Sequence, residues 1–205
     1  MVSGAGNPGV AGVVLAAGSS SRMGRNKLLL ELDGEPIVRR TAARALAAGL
    51  EPVIVVLGSD AERVAAALSG LSCRTVLNPD HAGGMGGSMR VGIASVPASA
   101  SAAVVVLADM PFVTSEALRA LADAHRERGA LLVASRYGAV TAPPTLYGAA
   151  LFPEFASLRD DACGRELLRR HRDELVYMTW PEAALADLDR PEDYERLRTS
   201  AAREA

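Results

Sequence analysis

The stretch LAAGSSSRMGRNK, Leu15 to Lys27, follows directly on the apolar run Val10-Ala11-Gly12-Val13-Val14. Five of its residues are Gly or Ser, and Arg22, Arg25 and Lys27 fall within six positions. A plain connection out of a strand needs one glycine, or two. Gly18 and Gly24 let backbone amides approach a ligand closely, and successive N–H groups form an anion-binding concavity. Arg22 would meet phosphate oxygens as a fork and Lys27 as a point cation. The spacing is neither common phosphate loop: Leu28 follows Lys27, so GxxxxGK[ST] fails, and Ser19-Ser20 break GxGxxG. Without a ligand, the same stretch would be a long turn with solvated cations.

Outward from this loop, apolar runs alternate with helical patterns. Strands are expected at Val10 to Leu15, Val53 to Leu57, Arg74 to Leu77, Val104 to Leu107 and Leu131 to Val133. Several are continuous apolar runs, as expected for parallel strands covered on both faces. Pro36 can open a first helix carrying Ile37, Val38, Ala42, Ala45 and Leu46 on one face, with Gly49 ending it. Asp60 to Leu68 suits a second helix and Gly87 to Ser95 a third. Thr114 is an N-cap for a fourth, whose Leu118, Leu121, Ala122 and His125 line up before Gly129. The alternation predicts a three-layer α/β/α fold with a mostly parallel, Rossmann-like sheet. Ligands of such sheets lie beyond the carboxyl ends of the strands, where the opening loop falls.

After Tyr137 the pattern weakens. Gly138 to Pro144 reads as loop, followed by short helices around Ala149–Leu158 and Gly164–Arg172, a strand near Leu175–Met178 and a last helix from Pro191. The expected organisation is a flexible segment 1–9, one domain over 10–198 and a tail 199–205.

With 205 residues the chain is long enough for a two-sided core without disulfides. The net charge of -2 gives no electrostatic case for binding nucleic acid or an anionic membrane. Cys73 and Cys163 form no CxxC or Cys/His cluster, so neither a disulfide framework nor a zinc site is indicated. MVSGAGNPG lacks the features of a secretory signal, and no apolar stretch is long enough to span a bilayer. A cytoplasmic protein is the expectation.

Three further segments carry chemistry. In Ala108-Asp109-Met110-Pro111, an aspartate ends the strongest apolar strand at the edge where the opening loop lies. One carboxylate there can hold Mg²⁺, which often takes one or two protein carboxylates plus substrate phosphates; the bland alternative is a turn cap. In Gly83-Gly84-Met85-Gly86-Gly87-Ser88, after Asn78-Pro79, four glycines imply a second close backbone approach, with Ser88 near a helix N-terminus. In Leu185 to Asp193, Asp187 and Asp189 alternate on an extended segment, so only one can face a site shared with Asp109. Of the histidines, His125 is expected to pack against the core and His171 to face solvent, while His81 sits in a loop that could touch a ligand. No Ser/His/Asp arrangement has supporting context, so covalent catalysis is not indicated.

Taken in order, LAAGSSSRMGRNK, NPDHAGGMGGSMRVG, ADMP and DLDRPEDYERL resemble the molybdopterin nucleotidyltransferases, over about Val13 to Leu197. The resemblance implies the nucleotide-diphospho-sugar transferase-like fold. It also implies a reaction in which an NTP gives its nucleotidyl group to a phosphorylated acceptor, molybdopterin or molybdenum cofactor, releasing pyrophosphate. By position, Leu15, Ala16, Ala17 and Gly18 would hold the base and ribose, while Arg22 and Lys27 would bind the triphosphate. Asp109 and Asp189 would bind Mg²⁺, with Asp187 the fallback, and Asn78, Gly84, Met85 and Ser88 would contact nucleotide and acceptor. LAAG with GMxxS is more similar to the cytidylyltransferase branch, so CTP is expected ahead of GTP; the product would pass to a molybdoenzyme or its chaperone. The lower half departs from that branch: Thr141-Ala142-Pro143-Pro144-Thr145 stands for its Gly-His-Pro segment, and Asp161-Ala162-Cys163-Gly164-Arg165 only loosely matches GDxGAR. A reductase or a nucleotide-binding accessory protein on the same fold is the competing class.

Overall fold

The computed structural model describes residues 9–18, 26–157 and 163–185. Its centre is a seven-stranded sheet in the order β5-β4-β1-β6-β8-β7-β9. The strands are β1 (Val10–Ala16), β4 (Val53–Leu57), β5 (Cys73–Leu77), β6 (Ala102–Leu107), β7 (Leu132–Tyr137), β8 (Val140–Gly148) and β9 (Leu175–Trp180). A two-residue hairpin, β2 (Glu31–Leu32) with β3 (Glu35–Pro36), stands apart. Only β8 opposes its neighbours β6 and β7; the remaining strands of the large sheet run parallel.

The central strands are buried on both faces, and the two faces divide the residues by alternation. In β1, Val10, Val14 and Ala16 join one cluster, whereas Ala11, Val13 and Leu15 join the other. The first cluster is covered by α1 (Ile37–Ala47), α2 (Ala61–Ala67) and α4 (Ser115–Arg128), through residues such as Val38, Val64 and Leu118. The second is covered by α3 (Met85–Ala94), α5 (Phe152–Phe155) and α6 (Cys163–Arg170), through Met89, Phe155 and Leu167. A run without polar positions can therefore still carry a period of two, because both layers of helix demand apolar contact. The three-layer, mostly parallel architecture expected from the sequence is the one observed.

Local signals placed several ends correctly. Thr114 accepts a hydrogen bond from the Ala117 amide at 3.1 Å, and Gly129 ends α4 in the left-handed region at φ +66°. The stretch from Gly138 to Pro144, expected as loop, is a correction, since its residues from Val140 onward are the first part of β8. Two prolines remove ladder donors, which is why the segment reads as a break. The sheet accommodates them at a register shift between Ala134 and Ser135. There Ser135 Oγ donates to the Pro144 carbonyl at 2.7 Å and Tyr137 Oη to the Pro143 carbonyl at 3.0 Å. The third helix also begins at Met85, two residues before the expected Gly87. His171 is corrected too: it is partly buried, with Nε2 2.7 Å from Glu154 Oε1. No helix among the described residues is long and apolar enough to cross a membrane.

Candidate functional site

β1 and β6 run side by side and finish at one edge, with Leu15 paired to Leu107. β4 and β5 lie on one side of β1 while β6 lies on the other, so the order of the sheet reverses there and a crevice opens. The crevice has a volume of about 440 Å³ and is lined by Leu15 of β1 with Ala17 and Gly18 just after it, by Leu107 of β6 with Asp109 just after it, and by Lys27 and Leu28. His81, Ala82, Gly84, Met85 and Ser88 complete the lining.

Two charges meet inside it. Lys27 Nζ lies 2.5 Å from Asp109 Oδ2, with the side chains 15% and 20% exposed. Each partner is held from behind. Lys27 opens a 3-10 turn, Lys27–Leu29, whose N-cap Asn26 accepts from the Leu28 amide at 3.0 Å. The same Asn26 donates to Asp60 Oδ2 at 3.2 Å, and Leu28 sinks into the core at 3% exposure. Asp109 follows a residue stitched to both neighbours: the Ala108 amide donates to the Leu15 carbonyl at 3.0 Å, and Thr41 Oγ1 donates to the Ala108 carbonyl at 3.1 Å. Arg44 of α1 then donates to the carbonyls of Pro111 and Val113. Burial, reinforced by nearby Arg40, pulls Arg44 below the usual arginine range, while Glu35, Glu116 and Asp33 oppose that shift. It remains a cation at any ordinary pH.

The opposite wall is the start of α3. Gly84, at φ +121° and ψ 175°, occupies backbone space that a residue with Cβ rarely enters, and no side chain caps the helix. The first-turn amides of a ten-residue helix therefore begin at the crevice, with the positive end of its dipole. Ser88 accepts from Asn78 Nδ2 at 3.0 Å, and Asn78 Oδ1 accepts from the Asp80 amide at 3.1 Å. Asn78 is 2% exposed and stands behind Ser88, where it ties the end of β5 to α3. His81 lines the crevice, and its Nδ1 is buried without a hydrogen-bond partner among the described residues. A buried polar nitrogen without a partner is uncommon and calls for one.

The structure thus brings together Leu15, Ala17, Gly18, Lys27, Gly84, Met85, Ser88 and Asp109. Ala16 turns its side chain into the opposite cluster, so only its backbone is available to a ligand. Arg22 and Arg25, like Asp187 and Asp189, lie outside the described residues. Asn26, Thr41 and Arg44 were not singled out from the sequence. Their roles depend on contacts 34 or more residues away, which no local pattern reveals.

Among the described residues no three acids, histidines or cysteines converge on a metal position. Asp109 alone offers a hard oxygen donor beside room for phosphate oxygens. That donor set fits a divalent ion such as Mg²⁺, which completes its shell with water and substrate oxygens.

The fold and this crevice define an α/β protein with an open, charged crevice at the carboxyl edge of its sheet. The family described as "MobA-like NTP transferase domain" matches residues 12–175. The chain belongs to that family and is a nucleotidyltransferase. Purine catabolism protein PucB of Bacillus subtilis is 33% identical over 94% of this chain and 97% of its own length. Nicotine blue oxidoreductase of Paenarthrobacter nicotinovorans is 30% identical over 93% and 97%. Bifunctional protein GlmU of Sorangium cellulosum is 35% identical over 78% of this chain, but the match spans only 34% of that protein. A probable molybdenum cofactor guanylyltransferase of Natronomonas pharaonis is 37% identical over 56% of this chain and 57% of its own. Among solved structures, Rv0371c of Mycobacterium tuberculosis superposes with a TM-score of 0.83 at 28% identity, covering 94% of this chain and 99% of its own. Its complex with manganese gives 0.78 at the same identity and coverage.

Proposed function

We propose that this nucleotidyltransferase moves CMP from CTP onto the phosphate of molybdopterin or molybdenum cofactor, with a divalent ion, Mg²⁺, bound at Asp109. The observation that carries the reading is the Lys27–Asp109 pair, set in a crevice faced by the start of α3. Nucleotidyl transfer requires no protein nucleophile, because the acceptor phosphate attacks the α-phosphorus in line and pyrophosphate leaves. The protein has to position two anionic partners and hold the charge that develops between them. Lys27 takes oxygens of the departing pyrophosphate, with Arg22 a second cation on the same loop. The α3 amides at Met85 onward face negative oxygens, and the Leu15–Gly18 backbone holds base and ribose. His81 Nδ1 finds its partner on the bound nucleotide. A bound divalent ion supplies Lewis-acid stabilisation of the phosphoryl oxygens. Asp189 is the second carboxylate for it, with Asp187 the alternative. The manganese complex of Rv0371c supports a divalent ion in this fold.

The molybdenum cofactor guanylyltransferase relative supports the pterin acceptor and keeps GTP as the rival donor. Pyrophosphate release, measured with each NTP, Mg²⁺ and molybdopterin, tests the reading. Release with CTP above GTP is the expected result, release with GTP alone would move the protein to the guanylyl branch, and no release with any NTP would overturn the proposal.

One relative favours a second reading. Nicotine blue oxidoreductase matches nearly the whole chain, so a reductase on this scaffold is the competing function. A purified protein carrying flavin absorbance, or oxidising a nicotinamide cofactor, would establish it.

A further inference from the structure

A second concave surface lies away from the crevice and shares none of its lining residues. It has a volume of about 360 Å³, and Arg165, Arg169 and Arg172 line it together with Thr141 and Tyr177. Arg165 and Arg169 are one turn apart on α6, and Arg172 continues the stripe from the turn that follows. Tyr177, on β9, is 42% exposed and is backed by Arg136, whose guanidinium carbon sits 3.7 Å from the ring centroid. Three arginines therefore line one groove, with a fourth stacked on its tyrosine, in a chain whose net charge is -2.

Local energetics disfavour this placement. Arg165 lies in the first turn of α6, where the helix dipole favours acids, and Arg169 repeats its charge at the i+4 position. The nearby acids among the described residues are engaged elsewhere. Glu154 and Glu166 pair with Arg170, while Glu154 and Glu174 approach His171, all on the other flank of α6. Among the described acids, Asp173 alone pairs with an arginine of the groove, at 3.5 Å from Arg172 Nε and with its side chain 92% exposed. Among the described residues, Arg165 and Arg169 have no acidic partner. A cationic stripe segregated from its own acids, set into a concavity and backed by an Arg–Tyr stack, is better suited to an external anion than to the fold.

We propose that this groove is a second anion site, separate from the crevice, that takes a phosphate or diphosphate group carried by a small molecule. Guanidinium forks at Arg165 and Arg169 grip the oxygens, Arg172 adds charge, and the Thr141 hydroxyl is available to a further oxygen. Two sources share this chemistry: the phosphorylated acceptor of the transfer reaction, and free phosphate or pyrophosphate.

Calorimetric titration of the purified protein with pyrophosphate tests the site without any need for turnover. Wild type is expected to bind two equivalents. R165Q/R169Q is expected to keep the crevice site and weaken the other by about ten-fold or more, because charge-assisted bonds are lost. K27M should show the converse, and R165K/R169K should restore part of the groove affinity. Unchanged melting of R165Q/R169Q confirms that the loss is local. No binding, or binding that is unchanged in R165Q/R169Q, overturns the proposal, whereas a single equivalent that R165Q/R169Q weakens and K27M keeps leaves the groove site standing without the crevice. The source is decided kinetically: a raised KM for the phosphorylated acceptor at unchanged KM for NTP identifies the acceptor, and unchanged values for both identify free phosphate or pyrophosphate. Because the titration needs no reaction, failure of the transferase reading leaves the anion site decided on its own.

Discussion

Lys27 Nζ and Asp109 Oδ2 lie 2.5 Å apart, joining the loop after β1 to the turn after β6 across the crevice. With neither side chain more than 20% exposed, the pair is a preset arrangement in which a cation and a carboxylate neutralise one another; under the proposed function Lys27 is the cation for phosphate and Asp109 the carboxylate for the metal. When triphosphate and a divalent ion arrive together, each group exchanges one opposite charge for another, so binding nucleotide and metal is expected to be mutually reinforcing. Asp109→Asn should lower turnover at least about a hundred-fold, the scale of losing one charge-stabilising group at a reacting centre. Its effect on folding should stay near 1 kcal/mol, or about 2–4 °C in Tm. Pyrophosphate release and thermal melting together check this; full activity would remove Asp109 from the reaction.

His81 should act through binding. Among the described residues its Nδ1 is buried and unpartnered at the crevice wall, so a nucleotide bond to it would displace no described partner. His81→Phe removes that bond together with the unsatisfied nitrogen. KM for NTP is expected to rise about 3–10-fold, the worth of one hydrogen bond, with kcat nearly unchanged and stability equal or higher. A fall in kcat with constant KM would place His81 in the chemical step instead. His81→Asn, which keeps a polar atom, should recover part of the affinity.

Arg44 is a positioning residue for Asp109. It does not itself line the crevice, yet it holds the Pro111 and Val113 carbonyls of the turn that Asp109 begins. Arg44→Met leaves both carbonyls short of a donor and should cost about 1–3 kcal/mol. Turnover should fall with little change in KM for NTP, because the carboxylate shifts while Lys27 and α3 stay in place. Arg44→Lys, a cation without the fork, should fall between the two. Denaturant unfolding alongside steady-state kinetics separates the two effects; loss of stability with unaltered kcat would limit Arg44 to the fold.

The same contrast explains how much was legible in the sequence. β1, β4 and β6 were readable because burial on both faces leaves continuous apolar runs, and Thr114 and Gly129 marked the ends of α4 by local chemistry. β8 was not, because Pro143 and Pro144 imitate a loop, and the hydroxyls that accommodate them come from Ser135 and Tyr137 on another strand. That Lys27, Asp109 and the Gly84–Ser88 segment share one crevice was legible, since each follows the carboxyl end of a strand. Asn26, Thr41 and Arg44 were not: an asparagine at a turn or an arginine on a helix is ordinary until the fold supplies its partner. His171 was misplaced for the same reason, as Glu154 lies 17 residues before it.

That misplaced histidine belongs to a cluster with a defined pH signature. Arg170 donates to Glu154 at 2.6 Å, and His171 Nε2 lies 2.7 Å from the same carboxylate, which joins α6 to α5. The Arg170 hydrogen bond, more than that of His171, holds the Glu154 carboxyl below the usual glutamate range. Since the folded-state pKa is depressed, the stabilisation is fully present above the unfolded glutamate value, about 4.3. It is lost as pH falls through the lower folded value. The pairs are solvent-accessible, so screening keeps their contribution small. The stability difference between wild type and Glu154→Gln should therefore be flat from pH 7 to about pH 5 and shrink below about pH 4.3. Urea unfolding at a series of pH values measures it. A difference that persisted unchanged at pH 3, or grew there, would show that the carboxylate charge is not what fastens α6, and with it the arginine stripe, against α5.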